Sequence, residues 1–232
     1  MLFETFKIAI RSLGSNKMRT LLSMLGIIIG VGAVIAVISI ASGSQQQVTS
    51  RISSMGSNMI NIRPGWSRGR FGRLGSSSTD LFTMELAEAI VDYSPSVKQI
   101  APNSQSSGYF MYGDNNYRAN IVGTNMNYQD INNYKPEKGK FFSQYDLDNA
   151  TDVIVLGSDI VEELYVDKDP IGSKITFYSN NRFLVFKVIG VMEEKDRGIT
   201  GDLNGSAYIP ISSYLNSISS SKYIDSFLAQ AV

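Results

Sequence analysis

The sequence predicts an α+β protein in which an N-terminal transmembrane helix and stalk precede a mixed α+β extracytoplasmic core domain of one or two subdomains. The first observation is a window at residues 20–50 that contains no Asp, Glu, Lys or Arg. The second is a polar run at residues 44–48 with no turn residue until Gly56, which favours continuation of the helix as a stalk. The third is a long C-terminal region of short apolar runs separated by turn residues, with few helical patterns.

The segment Leu21–Ala41 is apolar except for Ser23, Ser39 and three glycines. As a helix that rises about 1.5 Å per residue, it reaches about 31 Å, the thickness of a bilayer's hydrocarbon core. A cleaved signal peptide is the alternative, because residues 41–43 are small enough to form a cleavage site. We favour a retained span, since the apolar region of a signal peptide is usually about 7–15 residues long.

Charge asymmetry around the span predicts its orientation. The basic residues that precede the span are Lys7, Arg11, Lys17 and Arg19. The same segment contains one acidic residue, Glu4. The first charged residue after the span is Arg51. Because Lys and Arg close to a span remain in the cytoplasm, we expect a cytoplasmic N-terminus in the cell membrane and an extracytoplasmic main domain.

Three regions follow from these patterns. Residues 1–14 are predicted to form a cytoplasmic amphipathic helix on the lipid bilayer, because apolar residues recur at helical spacing opposite the charges. A plain cytoplasmic extension of the span is the alternative. Residues 15–43 are predicted to form a transmembrane helix, and residues 44–232 the extracytoplasmic core domain. Within the span, a small-residue pattern predicts close packing with another helix. The residues of this pattern are Gly26, Gly30 and Gly32.

The predicted elements of the outer region follow in order. A strand at Met59–Arg63 precedes a loop at residues 67–79, whose arginines are candidates for phosphate or lipid contact, although a mobile loop is the simpler interpretation. Thr83 is placed to cap a helix at Met84–Tyr93, and a second helix is expected at Asp159–Tyr165. Further strands are predicted at Tyr109–Tyr112, Tyr117–Val122, Asp152–Leu156, Lys174–Tyr178, Phe183–Val191, Ala207–Ile209 and Phe227–Val232. The turns between paired strands are expected at residues 113–116 and 179–181.

Composition excludes several kinds of chemistry. The chain has no Cys and no His, so thiolate chemistry, disulfides and imidazole-dependent triads or metal sites are excluded. Residues 43–232 carry 17 basic and 20 acidic residues, and this acidic balance argues against a nucleic-acid partner. Residues 167–172 and 198–205 are read as turns or loops rather than metal or phosphate sites. We find no pairing of a nucleophile with a base, and therefore predict no catalytic residue, no cofactor and no enzyme activity.

Several stretches resemble MacB-like permeases of the FtsX-like class of ABC transporters. The resemblance is strongest at Arg19–Gly32, Gly43–Gln47 and Met55–Gly65. Asp169–Gly172 and Phe186–Val191 resemble turns and strands that recur in the outer core domain of that family.

The resemblance implies a permease subunit with four spans and an outer domain between the first two. It implies an ABC ATPase subunit that binds ATP in the cytoplasm, a second permease subunit in a homo- or heterodimer, and a membrane-fusion or adaptor protein outside. Such permeases couple ATP hydrolysis to movement of the outer domain, and export or release antibiotics, peptides or lipoproteins. On this interpretation the chain is an N-terminal fragment without the C-terminal spans.

Two alternatives stay open. A single-span receptor or sensor would bind a ligand outside, although about 19 cytoplasmic residues are too few for a signalling module. An FtsX-like regulator of a cell-wall hydrolase would share the same architecture, and the sequence separates it poorly from a transporter.

Overall fold

The computed structural model describes residues 4–8, 17–54, 58–65, 82–166, 168–195, 202–219 and 221–232. The chain divides into two compact units, Met1–Arg51 and Ile52–Val232. Arg11, the predicted helix break at residues 14–16 and the arginine-containing loop at residues 67–79 lie outside the described residues.

The first unit is helical wherever it is described. Residues 4–8 form α1, and Lys17–Ser54 forms the 38-residue helix α2. Lys17–Gln46 is long and apolar enough to cross a membrane. Residues 21–46 are exposed along their whole length, whereas the core helix of a soluble protein is mostly buried. The helix continues through the polar run without a break, which confirms the prediction that this run is helical.

The second unit is a mixed α+β domain, which confirms the predicted fold class. Its described helices are α3 (Met84–Tyr93), α4 (Asn127–Ile131), α5 (Gln144–Asp148), α6 (Ser158–Leu164) and α7 (Ile211–Ser217). Its described strands are β1 (Met59–Ile62), β2 (Val97–Tyr112), β3 (Asn115–Thr124), β4 (Pro136–Gly139), β5 (Val153–Leu156), β6 (Lys174–Ser179), β7 (Arg182–Met192), β8 (Ser206–Pro210) and β9 (Ser226–Ala231).

Six of these strands pair in a closed ring. The order is β2, β3, β8, β5, β7 and β6, and β6 pairs again with β2. The β3–β8 and β5–β7 pairs are parallel, and the other four pairs are antiparallel. Strand β9 extends the sheet from the first half of β2, β1 pairs with β9, and β4 pairs with β7.

One hydrophobic cluster receives side chains from all six ring strands, and therefore marks the inner face of the ring. Its ring members are Phe110, Ala119, Ile121, Ile154, Leu156, Ile175, Phe177, Phe186, Val188, Ala207 and Ile209. A second cluster packs on other faces of the same strands around Tyr128, Tyr134, Phe142 and Tyr208. Burial of both clusters is the main stabilising contribution to the domain.

The capped helix and most predicted strands are confirmed. The Thr83 hydroxyl accepts a hydrogen bond from the Leu86 amide at 3.4 Å, and α3 has the predicted limits. The hairpin predicted around residues 113–116 is confirmed, but its turn is shorter than the four predicted residues. Tyr112 already pairs with Asn115, so the turn contains only Gly113, which has φ +60°, and Asp114.

The prediction that β2 begins at Tyr109 is also wrong, because the strand begins at Val97. Its middle, residues 103–108, is polar and gives no strand pattern. These residues are extended because neighbouring strands pair with them, β9 up to Asn103 and β3 from Ser104.

Residues 169–172 form a turn before β6, as predicted. The Ile171 amide donates to Asp169 Oδ1 at 3.0 Å, and Gly172 adopts φ +81°.

Candidate functional site

The glycines of α2 leave an open surface on the apolar helix. A Cβ atom built at Gly26, Gly30 or Gly32 would meet no atom within 4 Å. At about 100° per residue, Gly26 and Gly30 lie on one face together with Ala33, whereas Gly32 points to a different side. The face available for a second helix is therefore Gly26, Gly30 and Ala33, and packing on it stays a prediction.

The predicted membrane-side charges are exposed wherever they are described. Lys7 lies in α1, and Lys17 and Arg19 lie in the first turn of α2. Their exposure agrees with contact with water or lipid headgroups. The orientation of the N-terminus stays a prediction, because the charges indicate it only through the distribution rule.

In the second unit, helices α3, α5 and α7 line an open cleft of about 1140 Å³, here called the helical cleft. Its floor contains the buried side chains of Ala87, Ile100 and Ile211. Apolar side chains also form its walls, namely Met84, Val91, Leu147 and Leu215.

Hydrogen bonds hold the walls of the helical cleft in place. The Asn125 and Asn127 side-chain amides both donate to the Ile100 carbonyl, at 3.1 and 2.9 Å. The Ser212 hydroxyl donates to the Leu147 carbonyl and so links α7 to α5. These bonds join elements that are distant in sequence on the side of the cleft opposite α3.

The rim of the helical cleft is acidic. Its charged residues are Glu85, Glu88, Asp92, Asp148 and Lys222. The Thr83 side chain holds the pKa of Glu85 below its ordinary value through a hydrogen bond. Within the described part of the chain, Glu88 and Asp92 form no ion pair. Among the described lining residues, four carboxylates therefore accompany one ammonium group.

A second surface lies on the outer side of the ring, where β2, β6 and β7 are adjacent. Tyr109 pairs with Tyr178, and Tyr178 pairs with Phe183, so three aromatic rings lie in a row across the strands. The Tyr178 and Phe183 ring centroids are 4.6 Å apart, and Phe183 is 67% exposed. Together with Val185, these residues are called the aromatic face.

Basic side chains border the aromatic face. Arg118 is opposite Tyr109 in the register of β2 and β3, and Lys174 is opposite Lys187 in that of β6 and β7. All three are exposed. Among the described residues of β2, β3, β6 and β7 that point to this outer side of the ring in the paired segments, none is acidic.

The buried tyrosines have a structural role. Burial raises the pKa of Tyr128 to about 12, so its hydroxyl stays protonated to a higher pH than that of an exposed tyrosine. The Tyr208 hydroxyl donates to the Leu203 carbonyl at 3.1 Å. The Lys195 ammonium donates to the Asn132 and Asn133 carbonyls just beyond α4, and burial lowers its pKa. These contacts join α4 to the segment after β7.

The described residues contain no group of three or more His, Cys, Asp or Glu side chains that is placed to hold a metal ion. Their prominent features are an exposed apolar helix, a cleft and an exposed sheet face. Fold and site together define a class: a protein with a helix able to span a membrane and an adjoining mixed α+β domain that offers binding surfaces.

Comparison with known proteins identifies the family. Residues 20–231 match the family model of the MacB-like periplasmic core domain. The chain belongs to this family, which confirms the resemblance seen in the sequence.

Curated relatives carry the same family name. The Macrolide export ATP-binding/permease protein MacB of Neisseria gonorrhoeae is 35% identical over 199 residues, which are 86% of this chain and 30% of the relative. The MacB protein of Bdellovibrio bacteriovorus is 30% identical over 216 residues, which are 93% of this chain and 33% of the relative. The chain thus spans about a third of the length of these relatives.

Solved structures share the fold. The periplasmic region of MacB from Actinobacillus actinomycetemcomitans has a TM-score of 0.60 and 25% identity, covering 78% of this chain and 77% of that chain. The extracellular domain of the noncanonic ABC-type transporter YknZ from Gram-positive bacteria has a TM-score of 0.61 at 18% identity, covering 75% and 83%. The second likeness concerns the fold alone.

Sequence reasoning missed the helical cleft and the aromatic face. The cleft is lined by segments between Thr83 and Tyr223 that are distant in sequence. The acidic residues of α3 were a readable signal, because positions 85, 88 and 92 fall on one side of a helix.

Proposed function

We propose that the chain is part of the permease subunit of an ABC transporter. ATP hydrolysis by a partner ATPase would drive a conformational change of the outer domain, and thereby the export or release of an antibiotic, peptide or lipoprotein. The observation that carries this proposal is the family match over residues 20–231, which joins the apolar helix and the outer domain in one unit of sequence. Relatives named as ATP-binding/permease proteins support it.

In this proposal α2 crosses the bilayer with its N-terminus in the cytoplasm. A 38-residue helix is about 57 Å long, which exceeds the hydrocarbon core of about 30 Å. Its continuous backbone hydrogen bonds suit it to carry displacement along its axis. A second permease subunit would pack on the Gly26 and Gly30 face, where small residues allow close approach of backbones.

ATP would be bound outside this chain's own segment, by a partner subunit or by a further domain. We assign no cofactor to the described residues. The role of this chain is then mechanical, which agrees with a site composed of binding surfaces.

We further propose that an adaptor or membrane-fusion protein docks on the aromatic face. Large exposed apolar side chains on a soluble surface commonly mark contact sites. The border formed by Arg118, Lys174 and Lys187 favours a partner surface with carboxylates around an apolar strip. Phe183→Ser should abolish copurification of such a partner, whereas Tyr145→Ser, at a similarly exposed aromatic residue outside the face, should preserve it. Equal copurification with both variants would refute this docking site.

The function is tested by affinity purification from the host membrane, followed by a complementation assay. We expect an ABC ATPase to copurify, and deletion of the gene to raise sensitivity to at least one exported compound or to retain a released peptide or lipoprotein. Copurification of a cell-wall hydrolase with unchanged export would favour the regulator. Copurification of neither protein, with a soluble ligand bound outside, would favour the single-span sensor.

A further inference from the structure

We propose that the helical cleft binds a compact amphipathic cation, that is, an apolar ligand with one positive charge. A role of this site in transport rests on the proposed function. Ligand binding at the cleft is a separate property and is measurable without transport. No chemistry on the ligand is involved. Three features of the cleft favour such a ligand: its apolar floor, its carboxylate-rich rim and its size.

The floor and walls provide apolar contact. On α3, Met84, Ala87 and Val91 recur at helical spacing, and they line the cleft together with Ile211 and Leu215 of α7. An apolar ligand body that covers these side chains removes their surface from water, which is the main source of affinity in small-molecule sites.

The charge of the rim selects the sign of the ligand. Glu85, Glu88 and Asp92 occupy the neighbouring strip of α3, and Asp148 lies on α5. The i, i+4 pair of Glu88 and Asp92 is a like-charge pair that destabilises an isolated helix. A cation placed between these carboxylates relieves that repulsion, whereas an anion increases it. The cleft is therefore complementary to a positive charge above an apolar body.

The size of the cleft indicates a ligand with several rings or branches. Its volume of about 1140 Å³ exceeds the range of about 300–1,000 Å³ that is typical of sites for drug-sized ligands, so a ligand with several rings or branches fits together with water. Side-chain amides of Asn125, Asn127, Gln144 and Asn216 also line it. These groups are able to bind oxygen or nitrogen atoms on the ligand as well as water.

Tetraphenylphosphonium and tetraphenylborate form the matched probe pair, because they share size and shape and carry opposite charges. Since the chain has no Cys, Asn216→Cys gives a single position at the cleft for an environment-sensitive fluorophore. Asp114→Cys, in the β2–β3 turn, reports on binding elsewhere. The full chain is placed in lipid nanodiscs of uncharged lipid, so that the local label separates binding at the cleft from partition into lipid.

We expect tetraphenylphosphonium, but not tetraphenylborate, to cause saturable quenching or a spectral shift of the fluorophore at position 216. The double variant Glu88→Gln with Asp92→Asn should lower the affinity for tetraphenylphosphonium about fivefold or more. Lys222→Gln should raise that affinity, since charges at the mouth of the cleft act over several ångströms. Glu162→Gln with Glu163→Gln on α6 is the control pair and should change nothing.

Equal response to both probes, or no response at position 216, overturns the proposal. The same conclusion follows if the Lys222 variant binds the cation more weakly. Circular dichroism of each variant establishes that it is folded. Intact binding with failure of the export assay would refute the proposed function while leaving the cation site standing, and the reverse outcome would refute the cation site alone.

Discussion

The closed ring of strands predicts that two phenylalanines on neighbouring strands contribute very differently to the free energy of unfolding. Phe177 of β6 is fully buried, and its ring centroid is 4.8 Å from that of Phe110 on β2. Phe183 of β7 is 67% exposed on the outer side. The two residues have the same chemistry and differ in the side of the ring on which they lie, so Phe177→Ala and Phe183→Ala form a matched pair.

The expected cost differs severalfold. Truncation of a buried Phe to Ala costs about 3–5 kcal/mol of unfolding free energy, including the cavity and the lost contact with Phe110. Full burial of a Phe side chain is worth about 1.5–3 kcal/mol, and Phe183 is only about one-third covered, so its loss costs about 0.5–1 kcal/mol. For a domain of this size, about 2–4 °C of Tm corresponds to 1 kcal/mol, which gives a decrease of about 6–20 °C for Phe177→Ala.

The assay is thermal or urea unfolding of the full chain in nanodiscs. Unfolding is monitored by the near-ultraviolet circular dichroism of the tyrosines. This signal reports on the packed second unit, because every tyrosine of the chain lies after residue 92. A loss below about 1 kcal/mol for Phe177→Ala, or equal losses for both variants, would refute a ring with Phe177 at its centre.

The remaining predictions concern the glycine face of α2, the Asp146 carboxylate at the start of α5, and the close contact between Gly123 and Tyr214. Gly30→Leu should reduce crosslinking between copies of α2 in membranes, while Gly32→Leu, off that face, should not; equal crosslinking would exclude the face. Asp146→Asn should cost about 1 kcal/mol in urea unfolding at pH 7. Burial alone would raise the pKa of Asp146, but hydrogen bonds with Ser143 and Thr151 hold it below the ordinary value of 3.8. Its stabilisation is present above that value and disappears as pH falls through the folded pKa, so the deficit of the variant should vanish in acid; a deficit independent of pH would contradict this. Gly123→Ala places a Cβ 2.5 Å from the Tyr214 side chain and should cost about 1–3 kcal/mol in the same assay, unlike Gly65→Ala in open space.

Sequence patterns predicted the elements whose burial alternates or whose ends carry strong signals. β6 and β7 were predicted because apolar residues surround the turn at Asn180 and Asn181, both of which adopt positive φ. The helix α3 was predicted from its cap at Thr83 and its apolar spacing. Local interactions determine these elements, so a local pattern is sufficient to find them.

The missed elements depend on partners far away in sequence. Strand β4 is charged and short, and only pairing with β7 makes it a strand. The helices α4 and α5 have five residues each, too few to show a period. The ring itself depends on parallel pairs such as β3 with β8, whose residues are more than 80 positions apart in sequence. No local signal specifies such pairs.

The candidate surfaces follow the same division. The apolar helix and its glycines are properties of one continuous segment, so the sequence revealed them. The helical cleft combines α3, α5 and α7, and the aromatic face combines β2, β6 and β7. Both depend on the register of distant segments, and they became visible only with the fold.

Closure of the ring also bears on how a permease of this kind would work. Each of the six ring strands is hydrogen-bonded on both sides over part of its length, so bending the ring requires breaking strand pairs. A displacement applied at one strand is therefore expected to move the ring as one body rather than to deform it. Binding surfaces built on such a body keep their geometry while they move, which is the property that a mechanical coupling between ATP hydrolysis and an external partner requires.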